Sequence, residues 1–256
     1  MLRAVTLALA GAPAAAGLAG TVVESTTTDV RTGKPVETRA VSAQGTNLRL
    51  ERRSALDASD RSLLLYAGER LYVVDDRTRA FRVMDRTSLQ AVEAARAAEA
   101  ERIGADRARR QARRAAARTV AAPPATLVDT GRTGHVGAWT CRTWNEVVKG
   151  RTVAEHCVAS LAALGGTDLG PALKSFSAFW RQVAADYPGL RDTGGALAET
   201  YARTRGLPVQ TRTFVGGRPQ EITVVTRVRQ EPLGGAMFQV PAGYEQQNMM
   251  READAR

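Results

Sequence analysis

The chain has 256 residues, a net charge of +10, 44% hydrophobic residues and two cysteines. That length holds one sizeable domain or two small ones. Nearly all the positive charge is arginine, since Lys34, Lys149 and Lys174 are the only lysines. Such an excess signals nucleic acid or anionic membrane, or an alanine- and arginine-biased composition, so charge alone excludes little.

The first residues, MLRAVTLALAGAPAAAGLAG, carry one basic residue, an apolar run and then small residues. Residues 1–19 are read as a signal peptide, with cuts suited to Ala14-Ala15-Ala16 or Gly17-Leu18-Ala19. No cysteine follows either cut, so no lipid anchor is expected there. No later segment approaches the ~20 apolar residues of a membrane span. The expectation is a soluble, exported, periplasmic protein with one domain over residues 20–247 and a polar tail over 248–256.

From Thr21 onward TVVESTTTDV, VETRAVSAQ and TNLRLERR read as strands separated by turn residues, followed by RSLLLYAG, ERLYVVDD and RAFRVMDR. Leu48 and Leu50 alternate with Asn47, Arg49 and Glu51, as in a half-buried strand. Leu63-Leu64-Leu65-Tyr66 and Leu71-Tyr72-Val73-Val74 are apolar at every position, so both faces of the sheet there must be covered. Asp75-Asp76 reads as a turn rather than an acid–base pair.

Residues 88–118 are rich in strong helix formers, with seven arginines and one acid between Arg102 and Arg118. They predict an Ala/Arg-rich helix protruding from the domain, an insertion over 88–122 that ends at Pro123-Pro124. Arg107, Arg109, Arg110, Arg113 and Arg114 are the candidates for contact with an anionic surface.

Both cysteines lie in TCRTWNEVVKGRTVAEHCVAS, which reads as a hairpin around Val148-Lys149-Gly150. A three-residue loop pairs Val147 with Arg151 and places Cys141 opposite Cys157, within disulfide reach. A one-residue slip would put the sulfurs on opposite faces. The spacing is far from C-x-x-C. His156, next to Cys157, would face away from it in a strand, so the two cannot grip one metal ion.

A second helix opens at Gly170-Pro171, with Leu173, Phe176, Trp180, Val183 and Tyr187 at helical spacing and Phe179 beside them. Pro188-Gly189 stops it, and a weaker helix runs from Gly195 to Arg205. Strands resume with LPVQTRTFV and QEITVVTRVRQ, and the chain closes through AMFQVPAGYEQQ.

No phosphate-binding loop, dinucleotide fingerprint or nucleophile elbow is present. Gly131, Gly134 and Gly137 have the wrong spacing for one, and neither histidine has a recognisable partner motif. No catalytic residue, cofactor or metal is assigned from the sequence.

The residues Asn47-Leu48-Arg49-Leu50-Glu51, Tyr72-Val73-Val74-Asp75, Gly206-Leu207-Pro208-Val209 and Phe238-Gln239-Val240-Pro241-Ala242-Gly243-Tyr244 resemble a bacterial envelope domain of unknown function. That family is related to the lipoprotein carriers LolA and LolB, and the resemblance spans most of Thr21 to Gln247. It implies a mainly β, α+β fold: a strongly curved antiparallel half-barrel with helices on its concave face. In the carriers that space receives acyl chains. The expected function is therefore non-catalytic binding of an apolar ligand between Phe176, Phe179, Trp180 and Tyr187 on the helix and Val73 and Val83 on the strands. The alternative is an envelope interaction module with its groove closed, whose basic helix meets an anionic membrane or a partner protein. Nucleic acid is not expected as a partner of an exported protein.

Overall fold

The computed structural model describes residues 19–57, 59–104, 107, 109–110, 125–166, 168–183 and 195–247. The expected signal peptide up to residue 18, the tail over 248–256, residues 105–106, 108 and 111–122 of the expected insertion (Arg113 and Arg114 among them) and Tyr187 lie outside the described residues. Among the described residues, twelve strands form one sheet. Six succeed one another as an antiparallel meander: β1 (Ala19–Asp29), β2 (Pro35–Gln44), β3 (Asn47–Ser54), β4 (Arg61–Ala67), β5 (Arg70–Asp75) and β6 (Ala80–Met84). After α1 (Arg86–Ile103) come β7 (Thr126–Val136), β8 (Trp139–Val148) and β9 (Arg151–Ser160). Then follow the helices α2 (Leu169–Val183) and α3 (Gly195–Thr204), β10 (Gly206–Val215), β11 (Arg218–Pro232) and a two-residue β12 (Glu245–Gln246).

The strand order is β12-β6-β5-β4-β3-β2-β1-β11-β10-β9-β8-β7. Two meanders thus meet at one antiparallel seam, where β1 runs against β11 from Ala19↔Pro232 to Asp29↔Glu221. β12 joins β6 in parallel. The order is linear, and the sheet is neither closed nor strongly curled, which corrects the expected half-barrel. The physical reason lies in β4 and β5: apolar residues on both faces leave no single concave interior for the sheet to curl around.

Each face has its own cover. On one, Leu64, Tyr66, Leu71 and Met84 join Leu169, Leu173, Phe176, Trp180 and Val183 of α2 in the main core. The buried positions of α2 recur every three or four residues, which turns one stripe of the helix to the sheet. On the other face Leu63, Leu65 and Val74, with Tyr72 and Phe81, pack under Val240 and Tyr244 of the C-terminal segment. Leu233 and Phe238 bury against Val22 on the same side. Residues 233–247 therefore form a strap, turned by a short 3-10 helix (Gly235–Phe238), across the face that α2 leaves bare.

The strap is tied by polar contacts as well. Gln44 Nε2 donates to the Leu233 carbonyl at 2.9 Å, and an Arg49 guanidinium N–H donates to that of Met237 at 3.0 Å. The Tyr244 hydroxyl donates to Asp76 at 2.8 Å. Glu245 and Gln247 donate backbone N–H groups to Arg79 and Phe81.

Part of the expected Ala/Arg-rich helix lies within the described residues. α1 begins at Arg86, with Asp85 and Ser88 capping each other's backbone N–H. It ends at Gly104, whose φ of 79° is left-handed and breaks the run.

Gly20 marks where the strap passes closest to β1. A Cβ there would lie 2.4 Å from Leu233 Cδ1 and 2.7 Å from the Ala43 carbonyl oxygen. Gly20→Ala is therefore expected to cost about 1–3 kcal/mol, as overpacking does. A urea midpoint equal to that of the parent chain would disprove this close fit.

Candidate functional site

The groove expected between helix and sheet is filled by its own walls. Phe176 and Trp180 are 0% and 1% exposed, and Phe179 is 9% exposed. Their rings pack at tilted angles along the helix and against Tyr66, with centroids 5.5 Å apart for Tyr66–Phe176, 5.3 Å for Tyr66–Phe179 and 5.8 Å for Phe176–Trp180. The Tyr66 hydroxyl shares a 2.9 Å hydrogen bond with that of Ser175. Val73 packs at the edge of the same core. Val83 does not join it: it is paired with Tyr72, whose side chain faces the strap, so Val83 lies on the other face from Val73. The cause is strand parity, because Met84 and not Val83 points toward α2.

One polar atom in the groove is unserved. Trp180 Nε1 is buried with no hydrogen-bond partner among the described residues. Gly195, the first residue of α3, lies against that ring, and a Cβ on it would come within 2.6 Å of Trp180 Cζ2.

Cys141 and Cys157 form a disulfide with Cα atoms 5.3 Å apart. The pairing is as expected, but its register is not. The loop holds two residues, Lys149 and Gly150, both with positive φ, and Val148 faces Arg151. A bulge at Val153 adds a further step, so Cys157 stands opposite Thr143 and Cys141 lies two residues farther along. Two single-residue departures sum to two, which restores the face. Gly134 of β7, opposite Cys141, leaves room for the sulfurs; a Cβ there would lie 3.3 Å from Cys157 Sγ.

A second constellation has no local signature in the sequence. His156 is 7% exposed and lies between Thr211 Oγ1, 3.0 Å from Nδ1, and Glu146 Oε2, 3.1 Å from Nε2. A carboxylate only accepts, so Nε2–H donates to Glu146, and in the neutral imidazole Nδ1 accepts from the Thr211 hydroxyl. The order hydroxyl–imidazole–carboxylate is that of nucleophilic hydrolases. Thr211, however, sits in mid-strand between His156 on β9 and Thr223 on β11, where the ladders occupy the backbone donors that an oxyanion hole would need. As it stands the array ties β8, β9 and β10 together. Its members come from three strands, and only the register of β9 against β10 reveals it.

Arginine is used mainly as a partner on the strap face. Glu51 accepts from Arg49 at 2.8 Å, Arg53 at 2.6 Å and Arg61 at 3.1 Å, and Arg61 also reaches Asp76 at 2.7 Å. Burial pushes the Glu51 carboxyl up, but the guanidinium hydrogen bonds of Arg49, Arg61 and Arg53 outweigh it and bring its pKa from 4.5 to about 2. Of the arginines expected to form a basic arm, Arg107, Arg109 and Arg110 are exposed and helical.

Among the described residues, no helix is long and apolar enough to cross a membrane and no group of three or more His, Cys, Asp or Glu side chains is placed to hold a metal ion.

No family model matches the chain, and no curated protein matches it, so the resemblance to the lipoprotein carriers assigns no family. Among solved structures, an uncharacterized conserved protein from Thermus thermophilus is similar over 90% of this chain and 90% of its own, at 8% identity and a TM-score of 0.44. PNGF-II is similar over 92% of this chain in each of two crystal forms, at 9% and 10% identity and TM-scores of 0.38 and 0.37. This chain spans 32% of that protein's length.

Two measurements test these contacts. The double variant Cys141→Ser, Cys157→Ser is expected to lose about 3 kcal/mol, the figure for a closed loop of this size; a reductant-insensitive melting temperature in the parent would refute it. For Glu51 the folded pKa lies below the unfolded one, so its stabilisation is full above about 4.5 and is lost as pH falls through about 2. The stability gap between the parent and Glu51→Gln should hold from neutral pH to about 5 and shrink on further acidification. A gap already closing near neutral pH would contradict the assignment.

Proposed function

We propose that this chain is an exported, non-catalytic interaction module of the bacterial envelope that works with its helix–sheet groove filled. It meets an anionic membrane surface or a partner protein through surface cations. The observation that carries this reading is the burial of Phe176 and Trp180 against Tyr66, which makes the helix a core element rather than one wall of an open site. A ligand between helix and sheet would have to displace side chains that each contribute about 1.5–3 kcal/mol by burial. The periplasm is proposed as its compartment, supported by the Cys141–Cys157 disulfide, a bond that persists in oxidising surroundings.

The apolar-ligand reading keeps one supporting observation, the unpartnered Trp180 Nε1. An unsatisfied buried donor costs about 1–3 kcal/mol, which a polar group of a ligand seated at the ring edge would recover.

A native, non-reduced mass spectrum of the chain expressed with export allowed separates these readings. The expected species is cut near Ala16 or Ala19, two hydrogens lighter than the reduced form, and unchanged by solvent extraction. Extra mass that extraction removes would replace the closed-groove reading with the ligand reading. An uncut, reduced protein would sink the compartment.

A further inference from the structure

Three neighbouring hairpins end at the same edge of the sheet. The β1–β2 turn is Val30-Arg31-Thr32-Gly33-Lys34-Pro35, the β10–β11 turn is Phe214-Val215-Gly216-Gly217-Arg218-Pro219, and the β8–β9 turn is Val148-Lys149-Gly150-Arg151-Thr152-Val153. Their strands are contiguous in the order β2-β1-β11-β10-β9-β8, so the tips form a row roughly 24 Å wide at the usual strand spacing. The three turns hold five cations and no acid. Residues 30–35, 149–152 and 215–219 are all exposed.

On the sheet several arginines are engaged by carboxylates, as around Glu51, Glu155 and Glu24, although Arg227 of β11 and Arg181 and Arg203 of the helices form no ion pair among the described residues. Here the side chains of Lys34, Lys149, Arg151 and Arg218 form no ion pair among the described residues. Two acids flank the row, Asp29 and Glu221. The Asp29 carboxylate is turned onto the Thr32 hydroxyl and N–H at 2.8 and 2.7 Å, with Arg31 beside it. The next turns along the sheet carry acids as well: β3–β4 has Asp57 and Asp60 beside the exposed Leu56, and β5–β6 has Asp76 with Arg77 and Arg79.

A second observation coincides with the charge. Val30 is 38% exposed and Val215 is 65% exposed, two of the four large apolar side chains left in water among the described residues. They stand at the tips of the basic turns. An open depression lined by Arg151, Thr152, Val153, Phe214, Gly216 and Gly217 lies between two of these tips. Its lining combines the Arg151 cation with the apolar Val153 and Phe214.

We propose that this row of tips is a docking surface for an anionic lipid bilayer. Lys34, Lys149, Arg151 and Arg218 would meet headgroup phosphates while Val30 and Val215 enter the interface. Lipid fits better than nucleic acid, because valines at the tips gain from an acyl boundary and offer no stacking plane to a base. The inference rests on the membrane contact proposed above, but moves it from the basic helix to the sheet edge.

The test is flotation of the full chain with vesicles of mixed phosphatidylglycerol and phosphatidylcholine, against phosphatidylcholine alone. Three proteins are compared with the parent: Lys149→Gln, Arg151→Gln, Arg218→Gln; Val215→Asp; and a variant with Arg107, Arg109, Arg110, Arg113 and Arg114 all changed to Gln. Each cation near a charged bilayer is worth about a fivefold change, so the tip variant should bind anionic vesicles about 100-fold more weakly. Val215→Asp should weaken binding too, and the helix variant should retain most of it. Loss in the helix variant with the tip variants unaffected would overturn the tip proposal and leave membrane contact standing. A parent that floats with neither vesicle would remove membrane contact and this proposal together. Parent binding to a single-stranded oligonucleotide that falls in the tip variant but not in Val215→Asp would overturn lipid in favour of nucleic acid.

Discussion

Leu63, Leu64 and Leu65 follow one another in β4, and a strand turns successive side chains to opposite faces. With Tyr72, Val73 and Val74 beside them in β5, the first half of the sheet is apolar on both sides. Each side must be kept from water, and the chain meets that demand with two unlike covers. One is α2, whose aromatic stripe fills the space above Leu64 and Tyr66. The other is the strap, which returns from the end of β11 to cover Leu63, Leu65 and Val74. The β1–β11 seam makes that return short, because it places the end of β11 beside the start of β1. The bare Gly20 then lets Leu233 cross at close range.

The same constraint accounts for the polar residues on the strap face. Arg49 both donates to the strap and pairs with Glu51, while Asp76 receives Arg61 from the sheet and Tyr244 from the strap. These groups form a rim beside the apolar patch, and their charges are balanced locally. A carboxylate surrounded by three guanidinium groups stays ionised in spite of burial, so the rim survives moderate acid.

Much of this is legible in the sequence because it depends on alternation. The strands, the need to cover both faces of β4 and β5, the stripe of α2 and the weak helix that forms α3 all follow from period two or period 3.6. The motif ending in Tyr244 is the strap, although nothing local says what it lies on. What escapes depends on register and distant pairing. The positive φ of Lys149 and the bulge at Val153 each shift the hairpin, and only their sum returns both sulfurs to one face. Thr211 meets His156 and Glu146 from a strand that two helices separate from their hairpin in sequence. Val83 is a different case: its parity with Met84 is readable from the sequence, and hydrophobicity alone is what suggests the wrong face. The curvature implied by the carriers fails because a sheet with two covered faces does not curl toward one.

Charge shows the same division between composition and placement. A net charge of +10 suggests a basic surface everywhere, yet the strands place many arginines within reach of Glu24, Glu37, Glu51, Asp129 and Glu155. Such pairs consume positive potential without adding much stability where they are exposed. Part of the uncompensated remainder lies where strands end, since the hairpin turns of two or five residues there have no neighbouring strand to supply a carboxylate. Local pairing across much of the sheet, with unpaired cations at the tips, leaves electrostatic attraction at the ends of the strands rather than in the filled groove.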